Sequence, residues 1–356
     1  MRSLSAKVVF NLPTSVWLPG RSTVWPGSLA RKAAMLACAA LLTLQAVPTV
    51  IAQTVEASPS NPIAQYDGTL SAFNKKNNEE QIDTPAELTQ SHTAPHEKSA
   101  DDLSRELSNP NSPLAKLQFE TRFTAFEGDL PGADDEWALS TVFQPIFPFP
   151  ISADGTTNFF LRPGVPIIWR QPSFNAGSNR FDAIGGIGDI GFDAAIGKSF
   201  DNGVIAVAGI QGTLPTGTDS RLTGGQLRLG PEAVLGYINK TGYAVAFPQH
   251  QWNVAGWEDE AYAVSNFEFN AGLYLPNAWT VFTNPVFEYD WMDNQWTVPV
   301  NLGVRKVVNV GKMPVQFVLK GDYYLEKDDT FGEEFAVTLQ VTPVVQNFIY
   351  NALIKN

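Results

Sequence analysis

A histidine and a serine on neighbouring apolar segments are the first pair in this 356-residue chain that could do chemistry. His250 sits in GYAVAFPQHQWNV and Ser265 in YAVSNFEFNAG, and a hairpin turning near residue 258 would bring imidazole and hydroxyl together. That is the nucleophile and base of an acyl-transfer site. The reaction also needs a group to orient the imidazole and donors for an oxyanion. No motif supplies either, so the expectation is a polar residue near a loop. A hydrolase using His250 and Ser265 is kept as an alternative.

Other motifs fail on their context. Gly186-Ile187-Gly188-Asp189-Ile190-Gly191 matches the dinucleotide fingerprint G-x-G-x-x-G, but no helix follows and a strand pattern continues through Ile196. The glycines are expected to relieve crowding in a bent strand. Gly197-Lys198-Ser199 looks like the end of a phosphate loop, yet the earlier glycine position holds Phe192. His92 and His96 lie four apart, but Pro95 between them argues against the helix that could present both to a metal. No catalytic residue, cofactor site or metal site is expected.

The elements carrying these residues alternate with a period of two. Leu117, Phe119, Thr121, Phe123 and Ala125 interleave with Gln118, Glu120, Arg122 and Thr124. Trp296 to Val304 and Val315 to Tyr323 repeat the pattern, so each segment has one apolar and one polar face. Twelve such segments are predicted, at 116–127, 137–149, 158–170, 186–199, 203–214, 226–238, 242–254, 262–274, 279–291, 296–308, 314–326 and 334–343. After the first pair, short and long connections alternate for three further pairs, with tight FDN, NKT and LPNA turns. Short turns on one side, longer loops on the other and strands of ten or more residues describe a transmembrane barrel rather than a soluble sandwich. An even count brings both ends of the barrel to the periplasm. Trp137, Trp169, Trp252, Trp279, Trp291 and Trp296 lie at or near strand ends, where amphipathic rings favour the headgroup zone. Pro163, Pro166, Pro231, Pro285 and Pro299 fall inside strands and should mark bulges or bends.

The fold class is therefore all-β: a twelve-stranded antiparallel up-and-down barrel over 116–343, with a C-terminal tail at 344–356. Ahead of it, Arg31 and Lys32 precede an apolar run from Ala33 to Leu44, too short to span a bilayer. Val50-Ile51-Ala52 fits a cleavage site, so 1–52 is expected to be a signal peptide. Residues 53–115 are expected to form a disordered periplasmic tether, because 53–114 has ten acidic residues against four basic and almost no aromatics. A plug is the alternative, and a short helix is expected over 98–107. The only cysteine, Cys38, lies in the leader, so the mature chain can form no disulfide or thiolate site. Charged residues make up only 17% of the chain, and the net charge of -12 argues against nucleic acid as a partner.

Apolar faces turned to lipid put the polar faces inside, since Arg or Lys on the lipid face costs ~2–4 kcal/mol at the midplane. The expected lumen lining is Glu120, Arg122, Arg162, Arg228, Glu232, Glu268, Glu288, Asn301, Arg305, Lys320 and Asp322. Such a lining can select solutes, or it can simply neutralise and stiffen a closed structural barrel.

Three stretches carry a family resemblance: GGIGDIGFDAAIGKSF (185–200), IQGTLPTGTDSRLTGGQLRLGPEAVLGY (210–237) and the run from Tyr289 to Tyr324 that contains QWTVPVNLGV. Together they resemble the bacterial outer-membrane proteins of the meta-pathway phenol-degradation family. The resemblance implies an outer-membrane barrel related to channels for hydrophobic and aromatic compounds, and it carries no catalytic residues. The expected function is a porin-like channel for small, hydrophobic or aromatic solutes. Its expected partners are outer-membrane lipid, the solute and the barrel-assembly machinery, and no cofactor is expected. N-terminal sequencing of the exported protein should begin at Gln53, and the unboiled barrel should migrate anomalously in gels. Recovery of that protein from the soluble periplasmic fraction would refute the assignment.

Overall fold

Alternation of apolar and polar side chains makes a strand of Ala115–Glu127 (β1), and the same pattern marks most of the eleven strands after it. The computed structural model describes residues 99–354, so the expected leader, most of the expected tether, and His92 and His96 lie outside the described residues. The strands that follow are β2 (Trp137–Pro150), β3 (Thr157–Asn175), β4 (Arg180–Ile187 and Ile190–Ser199), β5 (Val204–Leu214) and β6 (Gln226–Ile238). Then come β7 (Gly242–Gly256), β8 (Ala263–Leu275), β9 (Trp279–Thr283 and Val286–Asp290), β10 (Gln295–Val310), β11 (Met313–Glu326) and β12 (Gly332–Val345). Each pairs antiparallel with the next, and β12 pairs back onto β1 from Ala115↔Val345 to Glu127↔Gly332. The sheet is a closed twelve-stranded barrel.

Both the first and the last strand meet one rim, with the tight turns 200–203, 239–241, 276–278 and 311–312. In outer-membrane barrels the rim with the short turns is the periplasmic one, and the two rims are called periplasmic and outer accordingly. Large apolar side chains cover the outer wall, with Leu235 and Leu302 each 65% exposed. Hydroxyls on that wall find partners: Thr121 Oγ1 and Thr141 Oγ1 lie 3.0 Å apart, and Trp169 Nε1 donates to Thr141 at 2.9 Å.

The internal prolines sit where the ladder is irregular. Pro285 splits β9, and the side chain of Asn301 on β10 repairs the gap. Its Oδ1 accepts from the Asn284 amide at 2.7 Å and from Thr283 Oγ1 at 3.1 Å. Pairing shifts register beside Pro299, and the β6–β7 ladder skips Pro231. At Gly230, next to that gap, an added β-carbon would overlap the His250 carbonyl oxygen, so only glycine fits.

β4 breaks at Gly188-Asp189, the centre of the glycine motif. Its outer half pairs only with β3, because β5 stops at Leu214. Loop 215–225 takes the place of the missing strand. Thr218 donates its amide to the Ile187 carbonyl at 2.9 Å, and the Thr218 and Thr216 hydroxyls accept from the Ile187 and Ile190 amides. Asp189 holds the loop from beneath, accepting the amides of Thr216, Gly217 and Gly224 at 3.0, 2.9 and 2.7 Å. Leu222, fully buried, closes over Ile168 and Ile184.

Three boundaries differ from the sequence expectation. The expected loop 171–185 is a hairpin turning only at 176–179, since β3 and β4 extend past the wall. The chain is ordered well before residue 115: Ala100–Leu107 is a helix (α1) capped by Ser99, so this end of the expected tether is packed structure. The expected tail at 344–356 begins as strand through Val345 and continues as a helix, Phe348–Ile354 (α2). Phe348 of α2 packs edge-on against Phe147 at 4.9 Å, and Asn347 Nδ2 donates to the Pro148 carbonyl at 2.6 Å.

Hydrogen bonds to a charged acceptor contribute about 1.5–3 kcal/mol each. Asp189→Ala removes three, so trypsin should cut after the exposed Arg221 at least about tenfold faster while the barrel stays folded. Unchanged cleavage kinetics would show that the loop is held by Leu222 alone.

Candidate functional site

Strand alternation decides which side chains enter the lumen, and burial identifies them. Every expected lining residue, Glu120, Arg122, Arg162, Arg228, Glu232, Glu268, Glu288, Asn301, Arg305, Lys320 and Asp322, falls on an inward register position. The structure gathers some of them and keeps others apart. Asp322 is a hub: Arg122 approaches it at 3.2 Å, Lys320 at 3.3 Å, and Asn301 Nδ2 donates to it at 2.8 Å. Arg122 also reaches Glu333 at 3.1 Å and Tyr324 Oη at 2.6 Å. Arg162 pairs with Asp193 at 2.6 Å on the adjacent strand. Arg228, nearer the outer rim, lies over the Tyr262 ring at 3.8 Å. Burial raises the pKa of the Tyr262 phenol, opposed by Arg228. Arg122, Arg162, Lys320 and Asp322 are thus ion-paired within the lumen.

Below the charged layer the lumen turns apolar. Ala195, Ile205, Val207, Val234, Tyr243, Val245, Phe282 and Val318 form one buried cluster. The polar-inside expectation missed this belt. β5 reads VIAVAGIQGTL, apolar on both faces in its inner half, so no alternation marks which side faces in. The positions two residues from known inward charges, such as Val318 beside Lys320 and Val234 beside Glu232, were the available signal.

α1 closes the periplasmic mouth beneath the belt. Asp101 accepts the Ala278 amide at 2.6 Å just before β9, and Ser104 Oγ meets Thr280 Oγ1 at 3.1 Å in a buried contact at its start. Leu103 and Leu107 pack on Ala278 and Val307. Arg305, stacked over Phe282 at 4.1 Å, reaches Ser108 Oγ at 3.4 Å. Three residues on, Asn111 Nδ2 donates to the Thr156 carbonyl at 2.8 Å and Ser199 Oγ at 2.9 Å, while Asn158 Nδ2 bonds the Asn111 carbonyl. β9 and β3 are six strands apart in a ring of twelve, so residues 101–111 cross the full mouth.

The outer rim is strongly acidic. Its six connections hold eleven acidic residues and two basic ones, Arg221 and Lys327, whereas the five periplasmic turns hold two of each. Both basic residues are paired, Arg221 with Asp219 at 3.0 Å and Lys327 with Glu127. The Arg221 hydrogen bonds hold the Asp219 pKa down to about 2. Burial, then the neighbouring Asp290 and Glu260 charges, push the Asp293 carboxyl up.

His250 and Ser265 do meet, on the outer wall and not in the lumen. The register pairs them directly, and His250 Nδ1 lies 2.7 Å from Ser265 Oγ. Trp291 Nε1 donates to the same hydroxyl at 2.9 Å, and Trp252 covers the imidazole at 4.1 Å. His250 Nε2 has no hydrogen-bond partner among the described residues, so nothing orients the ring as a base requires.

Comparison with solved structures gives the same architecture. The chain is similar to the COG4313 outer membrane channel from Pseudomonas putida F1, at 12% identity and a TM-score of 0.52, covering 65% of this chain and 96% of that one. Weaker likenesses are to the NanC porin (8% identity, TM-score 0.43, 65% and 99% covered) and to outer membrane phospholipase A from Escherichia coli (10%, 0.36, 70% and 99%). At such identities what is shared is the fold. No protein-family model matches the sequence, and no curated protein matches it. The chain is a closed, twelve-stranded antiparallel β-barrel with an apolar outer wall, the fold of outer-membrane barrels.

Proposed function

We propose that the protein is an outer-membrane channel for small hydrophobic or aromatic solutes. The observation that carries this is the inward apolar belt of Ile205, Val207, Val234, Tyr243, Val245, Phe282 and Val318 between the charged layer and α1. An apolar constriction repels ions by dewetting, while an apolar solute loses little on entering it. The resemblance of 185–200, 210–237 and 289–324 to the meta-pathway phenol-degradation proteins supports the aromatic class. The barrel's overall likeness to a channel from Pseudomonas putida F1 agrees with it. α1 blocks the path below the belt, so passage requires the helix to shift from β9 and β10.

A second reading rests on the 2.7 Å contact between His250 and Ser265, a lipid-facing hydrolase near the outer leaflet. The serine hydroxyl has its base, but the unpartnered Nε2 leaves the imidazole without an orienting group. A barrel closed throughout, with only a structural role, is the third.

Arg305→Ala removes the contact with Ser108 and takes a positive charge from the wall. Single-channel conductance in planar bilayers should rise several-fold and shift towards cations. An unchanged current–voltage curve would mean that the Arg305 contact does not help to hold the path shut. Release of fatty acid from detergent-dispersed phosphatidylcholine should be at background level for the wild type and for Ser265→Ala alike. Turnover that disappears only in the variant would establish the hydrolase instead.

A further inference from the structure

We infer that Glu288, just beneath the acidic outer rim, binds the ammonium group of an organic solute. This rests on reading the lumen as a solute path and names the chemistry of what enters it.

Glu288 lies on the outer half of β9, two residues from its end, and is only 1% exposed. It faces inward, since the neighbouring Tyr289 packs on the outer wall with Trp291 and Trp296. Neither carboxylate oxygen has a hydrogen-bond partner among the described residues. Thr297 on β10 stands directly opposite it, and the other neighbours present acceptors. Asn266 on β8 stands directly opposite, with its buried Oδ1 unpartnered. Gln295 on β10 is a diagonal neighbour; its Nε2 is spent on the Trp296 carbonyl at 2.7 Å, and its Oε1 is unpartnered. The charges that bear on Glu288 most are also acids, Glu333 and Asp290. Asp322 and Asp193 show the contrast, each with an arginine in contact.

Four unpartnered buried acceptor atoms from three adjacent strands therefore lie at and beside Glu288, and no cationic side chain pairs with its carboxylate among the described residues. An ammonium supplies what is missing, three N–H donors and a positive charge. A bare metal ion fits less well, because no group of three or more His, Cys, Asp or Glu side chains gathers as a ligand set among the described residues. The rim above would concentrate cations, with eleven acidic residues against two basic ones that are already paired. Deeper in the lumen lies the apolar belt, which suits a hydrocarbon or aryl remainder.

Titration calorimetry on the full-length protein refolded in detergent, with benzylammonium chloride and benzyl alcohol at pH 7 and low salt, tests this. The wild type should bind benzylammonium at least tenfold more tightly than the alcohol. Glu288→Gln should bring the two within twofold, and Asn266→Ala should weaken benzylammonium about threefold. Heat-modifiable migration checks that each variant is folded; if Glu288→Gln is not, the Asn266→Ala result decides. Equal binding of both probes by the wild type, or a preference untouched by the substitutions, overturns the site. Displacement of benzylammonium by equimolar potassium overturns the ammonium assignment. Vesicle permeation by benzyl alcohol is read separately: permeation without preference rejects the site and keeps the channel, and preference without permeation does the reverse.

Discussion

Closure of the hydrogen-bond ladder between β1 and β12 is the constraint on which everything else in this molecule depends. In hydrocarbon an unpaired backbone group costs several kcal/mol, so a sheet that crosses a bilayer must return to its first strand. The pairs from Ala115↔Val345 to Glu127↔Gly332 accomplish that return. Departures from a regular ladder are then tolerated only where something else satisfies the backbone. Asn301 does so at the Pro285 break in β9, and the hydroxyls of Thr216 and Thr218 do so at the Asp189 break in β4. Both repairs use short polar side chains from the next strand or the adjoining loop.

Once the wall is closed, the two faces of each strand are forced into different solvents. The outer face needs only to be apolar, and its few hydroxyls bond one another. The inner face must fill a narrow lumen, and it does so in layers. Loop 215–225 lies across part of the outer end, mixed charge follows, then the apolar belt, then α1. Arg305 joins the last two: its guanidinium stacks on Phe282 of the belt while reaching Ser108 just beyond the helix. A displacement of α1 is therefore felt at the belt directly, through one side chain.

How much of this could be read in advance follows the same division. Strand positions were legible within a few residues because lipid enforces a period of two over long segments. Illegible were the places where the pattern lapses. The β3–β4 hairpin at 171–185 runs past the wall, where alternation is no longer required, and reads like a loop. The inner halves of β5 to β7 are apolar on both faces and so conceal the belt. α1 offers only Leu103 and Leu107 as apolar anchors in a polar tract, and nothing local says that a lumen waits for them. His250 and Ser265 were placed together correctly, but the direction of the imidazole is set by packing against Trp252 and could not be inferred from spacing.

The order of the layers also limits what the path can carry. A freely hydrated ion drawn to the acidic rim would have to lose its shell at the belt, whose one hydroxyl, that of Tyr243, already donates to Asn270. A wholly apolar solute meets no such barrier there, yet it must first pass Asp322, Arg122 and Lys320, whose charges are largely satisfied by one another. Mutual pairing is what makes that layer passable, because paired charges need not be stripped of solvent by the solute. The outer acid Glu288 differs, since neither of its carboxylate oxygens has a partner among the described residues. An amphipathic molecule can satisfy both ends of this gradient in turn, its polar group first near the rim and its apolar part afterwards in the belt.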